Sequence, residues 1–318
     1  MKKALVTLIA SLALLPALAV AQFPDRPLRI VLPLAAGSST DGLVRLLAQA
    51  ISIETKQPVV VDNKPGANGF LGVQSAMTAT PDGYTILVTT NSTQVINKFL
   101  FKKLPYDPEK DLAPVTALGR GWLIMVVNPQ SPVASVKDFL AQAKKQPGKM
   151  TFASGTAVTR FAGEMLQQVG DIKLLHVPYK SVPPAINDLL GGQVDTLLTD
   201  GGTIMPHVRS GRLRALGATS AKRLAGLPDL PTLDEQGLAG YEMSFWWAAY
   251  APVGTPAPII ARWNALFANA LKAPAVQAFF TASHNESYHT TPEGLAKFQA
   301  DETEKWARIA RAANVEPE

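Results

Sequence analysis

A short β-rich run, a small polar segment and an apolar helical stripe follow one another repeatedly along this chain, and that rhythm limits the folds open to it. Residues 28–33 form the first such run, 35–40 the polar segment, and Asp41 opens a helix pattern through Leu43, Val44, Leu46, Leu47 and Ala50. Residues 59–61 read as a second strand, 62–66 as its end, and a helix pattern then runs to Ala79. After the turn Pro81-Asp82-Gly83 a third strand, 84–88, ends in the polar residues 89–93. Strand, loop and helix at this pace argue for a largely parallel sheet covered by helices.

The same order returns further on. Strands are expected at 123–127, 150–153, 172–177, 194–199 and 214–219, with helices at 136–145, 160–169 and 185–190. From Pro256 the pattern is helical, over 259–272, 275–282 and 292–313. A terminal helical segment with little strand signal packs back on an existing core. The chain is therefore expected to be α/β with two domains, 22–122 plus 252–318 and 123–251. Its length suits two cores of ordinary size.

Lys2 and Lys3, the apolar run 4–20 and the small residues Ala19 and Ala21 read as a secretory signal peptide, residues 1–21, cleaved after Ala21. The competing transmembrane reading is weakened by Pro16 and by a run that barely reaches the ~20 residues a span requires. The chain has no cysteine, which excludes disulfides, thiolate ligands and a lipidated cleavage site. An exported chain without an anchor is retained only by a second membrane, so a periplasm is expected. Loss of Lys2 and Lys3 lowers the formal charge of +5 by two. The remaining basic residues are scattered rather than clustered, so no nucleic-acid partner is expected.

The chemistry is expected at the strand ends, where open α/β sheets hold their ligands. The loops 35–40, 89–93, 154–159 and 200–203 are rich in Gly, Ser, Thr and Asn. Free amides and the positive end of a helix there favour an anion. Taken singly, each loop has another reading, since the same residues simply cap helices. Enzyme signatures are missing: there is no Gly-x-Ser-x-Gly, no phosphate-loop Gly-Lys-Ser/Thr and no Gly-x-Gly-x-x-Gly. His176, His207, His284 and His289 lack zinc-helix spacing, and no metal or cofactor is expected. His176, in an apolar strand, reads as structural.

Nine segments in order then resemble one family. They include 33–37 with Asp41 and Arg45, 61–69, 81–85, 104–108 with Asp111, 177–180, 189–195, 211–216, 231–237 and 251–256. The sequence resembles the Bug or TctC-type receptors, the periplasmic solute-binding proteins of tripartite tricarboxylate transporters. The resemblance implies a two-domain class II periplasmic-binding-protein fold that closes on a ligand in the cleft between its domains. It implies a carboxylate held by loop backbone groups and water. Carried over, the anion meets Ala36, Gly37 and Ser38, flanked by Thr90, Asn91 and Ser92. The second domain adds Ser154, Gly155, Thr156, Thr159, Tyr179 and Asp200.

Two departures from the family pattern bear on specificity. Ser38 stands where the family usually has a second glycine, and Arg160 where it tends to have histidine. An Arg160 that faces the cleft would clamp a second carboxylate with its planar head, whereas one on the helix surface would not. Phe245, Trp246 and Trp247 lie near the expected return crossing, where one ring would wall an aromatic ligand and at least one would be core. The implied role is capture of a small carboxylate, such as the aromatic dicarboxylate terephthalate, by a monomer that serves a membrane permease. Presentation to a sensor kinase ectodomain and a secreted α/β enzyme are the alternatives.

Overall fold

The computed structural model describes residues 23–312 and Pro317; the expected signal peptide, 1–21, lies outside the described residues. The chain runs through β1 (Leu28–Leu32), α1 (Ser39–Thr55), β2 (Val59–Asn63), α2 (Phe70–Met77), β3 (Thr85–Thr90), α3 (Asn97–Leu100) and β4 (Leu112–Val127). There follow α4 (Val136–Lys145), β5 (Thr151–Ser154), α5 (Ala157–Gly170), β6 (Leu175–Pro178), α6 (Val182–Leu190), β7 (Thr196–Asp200), α7 (Gly201–Arg209) and β8 (Arg214–Ala218). Strand β9 (Ser244–Pro252) leads to α8 (Ala257–Ala270), α9 (Pro274–Ser283), β10 (Glu286–Ser287) and α10 (Pro292–Ala312).

The strands are ordered β2-β1-β3-β9-β4-β7-β5-β6, with β10 and β8 also paired to β4. Parallel pairs lie towards the two ends, β1 with β2 and β3, and β5 with β6 and β7. The middle is antiparallel. Residues 112–122 of β4 pair with β9, whereas 123–127 pair with β7 and β8. One long strand thus belongs to both halves of the sheet, and β9 runs beside its first part. Because β1 and β3 are covered on both faces, Ile30, Val31, Ile86 and Leu87 are fully buried, as continuous apolar strands require.

Strand β4 is the main departure from expectation, being 16 residues long where the sequence predicts only its last five. Pro114, Gly119 and Gly121 hide the rest, and the ladder absorbs them through shifts at 114/116 and 117/119. Helix α6 begins three residues before the expected 185, with prolines in its first turn, where a missing N–H does no harm. The expected strand 172–177 begins at Leu175, and residues 92–96 form a π-helical turn that no sequence pattern announces.

Candidate functional site

The carboxyl ends of β1, β3 and β5 and the loop after β6 open onto one cavity of about 330 Å³. Behind it lies a smaller chamber of about 50 Å³, bordered by Leu123, Phe245 and Trp247 and reached past Ser38, Thr90 and Thr156. A hydrogen bond of 3.2 Å from the Val158 amide to Ser92 Oγ joins the loop after β3 to α5, across the two halves of the sheet.

The first loop is rigid for a local reason. Ser38 caps α1 by accepting from the Asp41 amide at 3.2 Å, which places Asp41 in the first turn. Asp41 Oδ2 accepts from the Gly37 amide and Arg45 Nε, both at 3.0 Å, while Oδ1 accepts from Asn63 Nδ2 at 2.9 Å. Burial raises the pKa of this carboxyl, but Arg45, the Gly37 amide and Asn63 outweigh it and leave the pKa below the usual value. Gly37 adopts φ +79°, a region open to glycine.

On the facing side, Thr156 caps α5 and forms a capping box with Thr159. Thr159 Oγ1 accepts from the amides of Gly155 and Thr156, each at 3.0 Å. These bonds commit the amides of Gly37, Gly155 and Thr156, three of the loop groups that the family resemblance assigns to an anion. The first-turn amides of Ser39, Thr40 and Ala157 precede any intrahelical acceptor and are better placed to serve one.

Ser38, Thr90, Ser92, Ser154, Gly155, Thr156, Arg160 and Tyr179 border the main cavity together. Thr159, Asp200 and Phe245 border only the inner chamber. Gly37 faces a separate groove on the far side of Ser38. Ala36 and Asn91 line neither space. Asn91 is fully buried, and its Nδ2 donates to the Ser244 carbonyl at 3.2 Å, tying the end of β3 to β9. Trp246 is a correction. Strand side chains alternate, so it points away from Phe245 and Trp247, and its Nε1 donates to Glu302 on α10 at 3.1 Å. Phe245 and Trp247 meet edge to face at 4.9 Å, and Trp247 Nε1 donates to Thr40 Oγ1 at 2.8 Å.

Among the described residues the cationic groups on the cavity wall are Arg160 and Lys180, with His176 beside them, and no Asp or Glu borders it. Arg160 is not on the open helix surface: its side chain is 20% exposed and lies 3.9 Å from Glu164. Burial pushes the Glu164 carboxyl up in spite of that neighbour. Tyr179 donates to Asp188 at 2.6 Å, and burial followed by this carboxylate pushes its phenol up to about 12. Asp200 caps α7 through the Thr203 amide at 3.0 Å, and burial raises its pKa.

Sequence reasoning overlooks three contributors. His176 is a wall residue rather than core, stacked on Phe152 at 4.8 Å with Nε2 2.7 Å from Ser154 Oγ. Its place near the end of a strand was the available signal. Lys180 follows in the next loop. Residues 66–69 have positive φ throughout, +115°, +45°, +51° and +89°, and this left-handed turn forms part of the wall. The Pro65-Gly66 and Asn68-Gly69 pairs signal a turn but not its use. Among the described residues no cluster of His, Asp or Glu is arranged to hold a metal ion.

A sequence profile of the tripartite tricarboxylate transporter family receptor, TctC, matches residues 43–315. The chain belongs to this family. Among solved TctC-like structures, the periplasmic binding protein BugD superposes with a TM-score of 0.88 at 32% identity, covering 93% of this chain and 100% of BugD. Rpa4515 of R. palustris, solved with adipate, gives 0.90 at 28% identity over 93% of this chain and 100% of its own. MatC from Rhodopseudomonas palustris, with bound malate, gives 0.86 at 28% identity over 91% and 100%. The TctC receptor described above thus has the two-domain periplasmic-binding-protein fold, and the cavity lies between its two halves.

Proposed function

We propose that this TctC receptor captures a small carboxylate in the periplasm and delivers it intact to the membrane subunits of a tripartite tricarboxylate transporter. The observation that carries the reading is a wall that, among the described residues, has two cationic side chains and a histidine but no acidic side chain. Such a wall attracts an anion and offers charge-assisted hydrogen bonds to replace its water. Micromolar capture corresponds to about −8 kcal/mol, which a few such bonds and closure can supply. Adipate and malate, found in two neighbours, are both dicarboxylates, and Arg160 and Lys180 supply cations for a second acid group here.

A rigid aromatic dicarboxylate such as terephthalate suits the cavity in size, which lies at the lower end of the ~300–1,000 Å³ of small-molecule sites. The chain would act as a monomer, after cleavage behind Ala21. No described helix is long and apolar enough to cross a membrane. The closing bodies are those read from the sequence, with one adjustment. Pairing of β9 with β3 and β4 supports a return crossing before Ser244 rather than after Ala251. A sensor kinase ectodomain is the alternative partner, and co-purification with one or the other separates them.

One contact favours a second reading, a hydrolase: Ser154 Oγ lies 2.7 Å from His176 Nε2, the spacing of a nucleophile and its base. Among the described residues no carboxylate borders the cavity beside that pair, and the receptor family matches residues 43–315. Purification, denaturation and mass spectrometry decide. A receptor releases an unaltered acid in stoichiometric amount. Catalytic consumption of an added carboxylic ester or amide, abolished in Ser154→Ala, would establish the hydrolase instead. Calorimetry then ranks terephthalate, adipate and citrate, and a preference for citrate would exclude the rigid aromatic ligand.

A further inference from the structure

The residue before α6 differs from the caps of α1, α5 and α7, which also begin at the cavity or its inner chamber. Ser38, Thr156 and Asp200 each accept from the amide three residues on. Ser181 makes no cap bond. The sequence supplies the reason. A cap oxygen serves the second or third helical amide, and those positions are Pro183 and Pro184, which have no N–H. The Ser181 hydroxyl borders the cavity and has no hydrogen-bond partner among the described residues.

The backbone that carries this hydroxyl is held in place. Gly155 lies flat against the backbone of Ser181 and Val182, so close that a methyl group there would overlap both. The two proline rings fix the backbone that follows. A polar group that is uncommitted among the described residues, carried on a packed backbone and next in sequence to Lys180 is suited to a ligand acceptor.

We propose that Ser181 is a specificity-determining residue of this site, whose hydroxyl donates to the second acid group of a two-ended carboxylate. The proposal rests on the receptor reading given above. Lys180 and Arg160 offset the charge of that second group, while the first-loop end of the cavity receives the other.

Titration calorimetry on the mature chain tests it with matched acids, adipate against hexanoate and terephthalate against benzoate. The wild type should prefer the dicarboxylate of a pair. Ser181→Ala should weaken dicarboxylate binding about ten-fold, the cost of a lost bond to a charged acceptor, and leave the monocarboxylate within about two-fold. Its melting temperature should not move, because no cap bond is lost. Ser181→Thr, which retains the hydroxyl, should retain the preference. Equal losses for both members of a pair, or a lower melting temperature with an intact preference, would overturn the assignment and leave the receptor reading standing. A wild type that binds no acid of either pair would overturn the receptor reading, and the role of Ser181 with it.

Discussion

At the scale of single residues, neighbouring side chains of one strand have opposite tasks. Trp246 accounts for packing between β9 and α10, where Glu302 accepts from both Trp246 and Trp306 at 3.1 Å. Phe245 and Trp247 border the inner chamber instead. Trp246→Phe should therefore cost about 1 kcal/mol of stability through one lost hydrogen bond and leave carboxylate affinity unchanged. Chemical denaturation and calorimetry on one preparation check both halves of that statement. Asp41 carries a pH dependence. Its folded pKa is depressed, so its contribution is fully present above the ordinary value of 3.8 and is lost as pH falls through the lower folded value. Asp41→Asn should flatten the fall in melting temperature below that pH.

At the scale of elements, the start of α5 combines a structural and a positioning task. Thr159→Ala removes the acceptor that holds the Gly155 and Thr156 amides. The expected cost is about 1 kcal/mol of stability, typical of a lost cap, with weaker carboxylate binding as the loop loosens. Thermal denaturation and calorimetry measure the two effects.

Short elements with a clear period were legible in the sequence. Helix α4 has the predicted bounds, and β1, β2, β3 and β8 lie within a few residues of them. The long strand β4 was not, because two glycines and a proline interrupt its pattern and only partner strands show that the ladder continues. The loops of the candidate site were legible from composition, and Ser38, Thr90 and Ser154 border one cavity together with Tyr179, which the family resemblance supplied. Which loop amides are already engaged was not. Capping bonds depend on backbone angles, and Gly37 and Thr159 look alike in sequence whether or not they are committed. Neighbour alternation along β9 was available as a rule, but only the partner strands fix which face looks inward.

At the scale of the whole molecule, the bond from Val158 N to Ser92 Oγ joins the two halves beside the cavity that Ser92 borders. Ser92→Ala should shift the balance towards an open form and weaken carboxylate binding several-fold, in line with a loss of about 1 kcal/mol. Small-angle scattering should show a radius of gyration that falls on addition of a bound acid, by less in the variant. The same acid at a hundred times its dissociation constant should stabilise the wild-type fold by about 2.7 kcal/mol.

The passage of β4 through both halves has a mechanical consequence. Two antiparallel strands laced over some ten residues twist and flex readily, yet they neither lengthen nor slide without breaking several hydrogen bonds at once. In a receptor that closes as proposed, the gap between the two halves would thus be governed by an angle. Acids of different length would be accommodated by a few degrees more or less of torsion in this ribbon, with each half keeping its own shape.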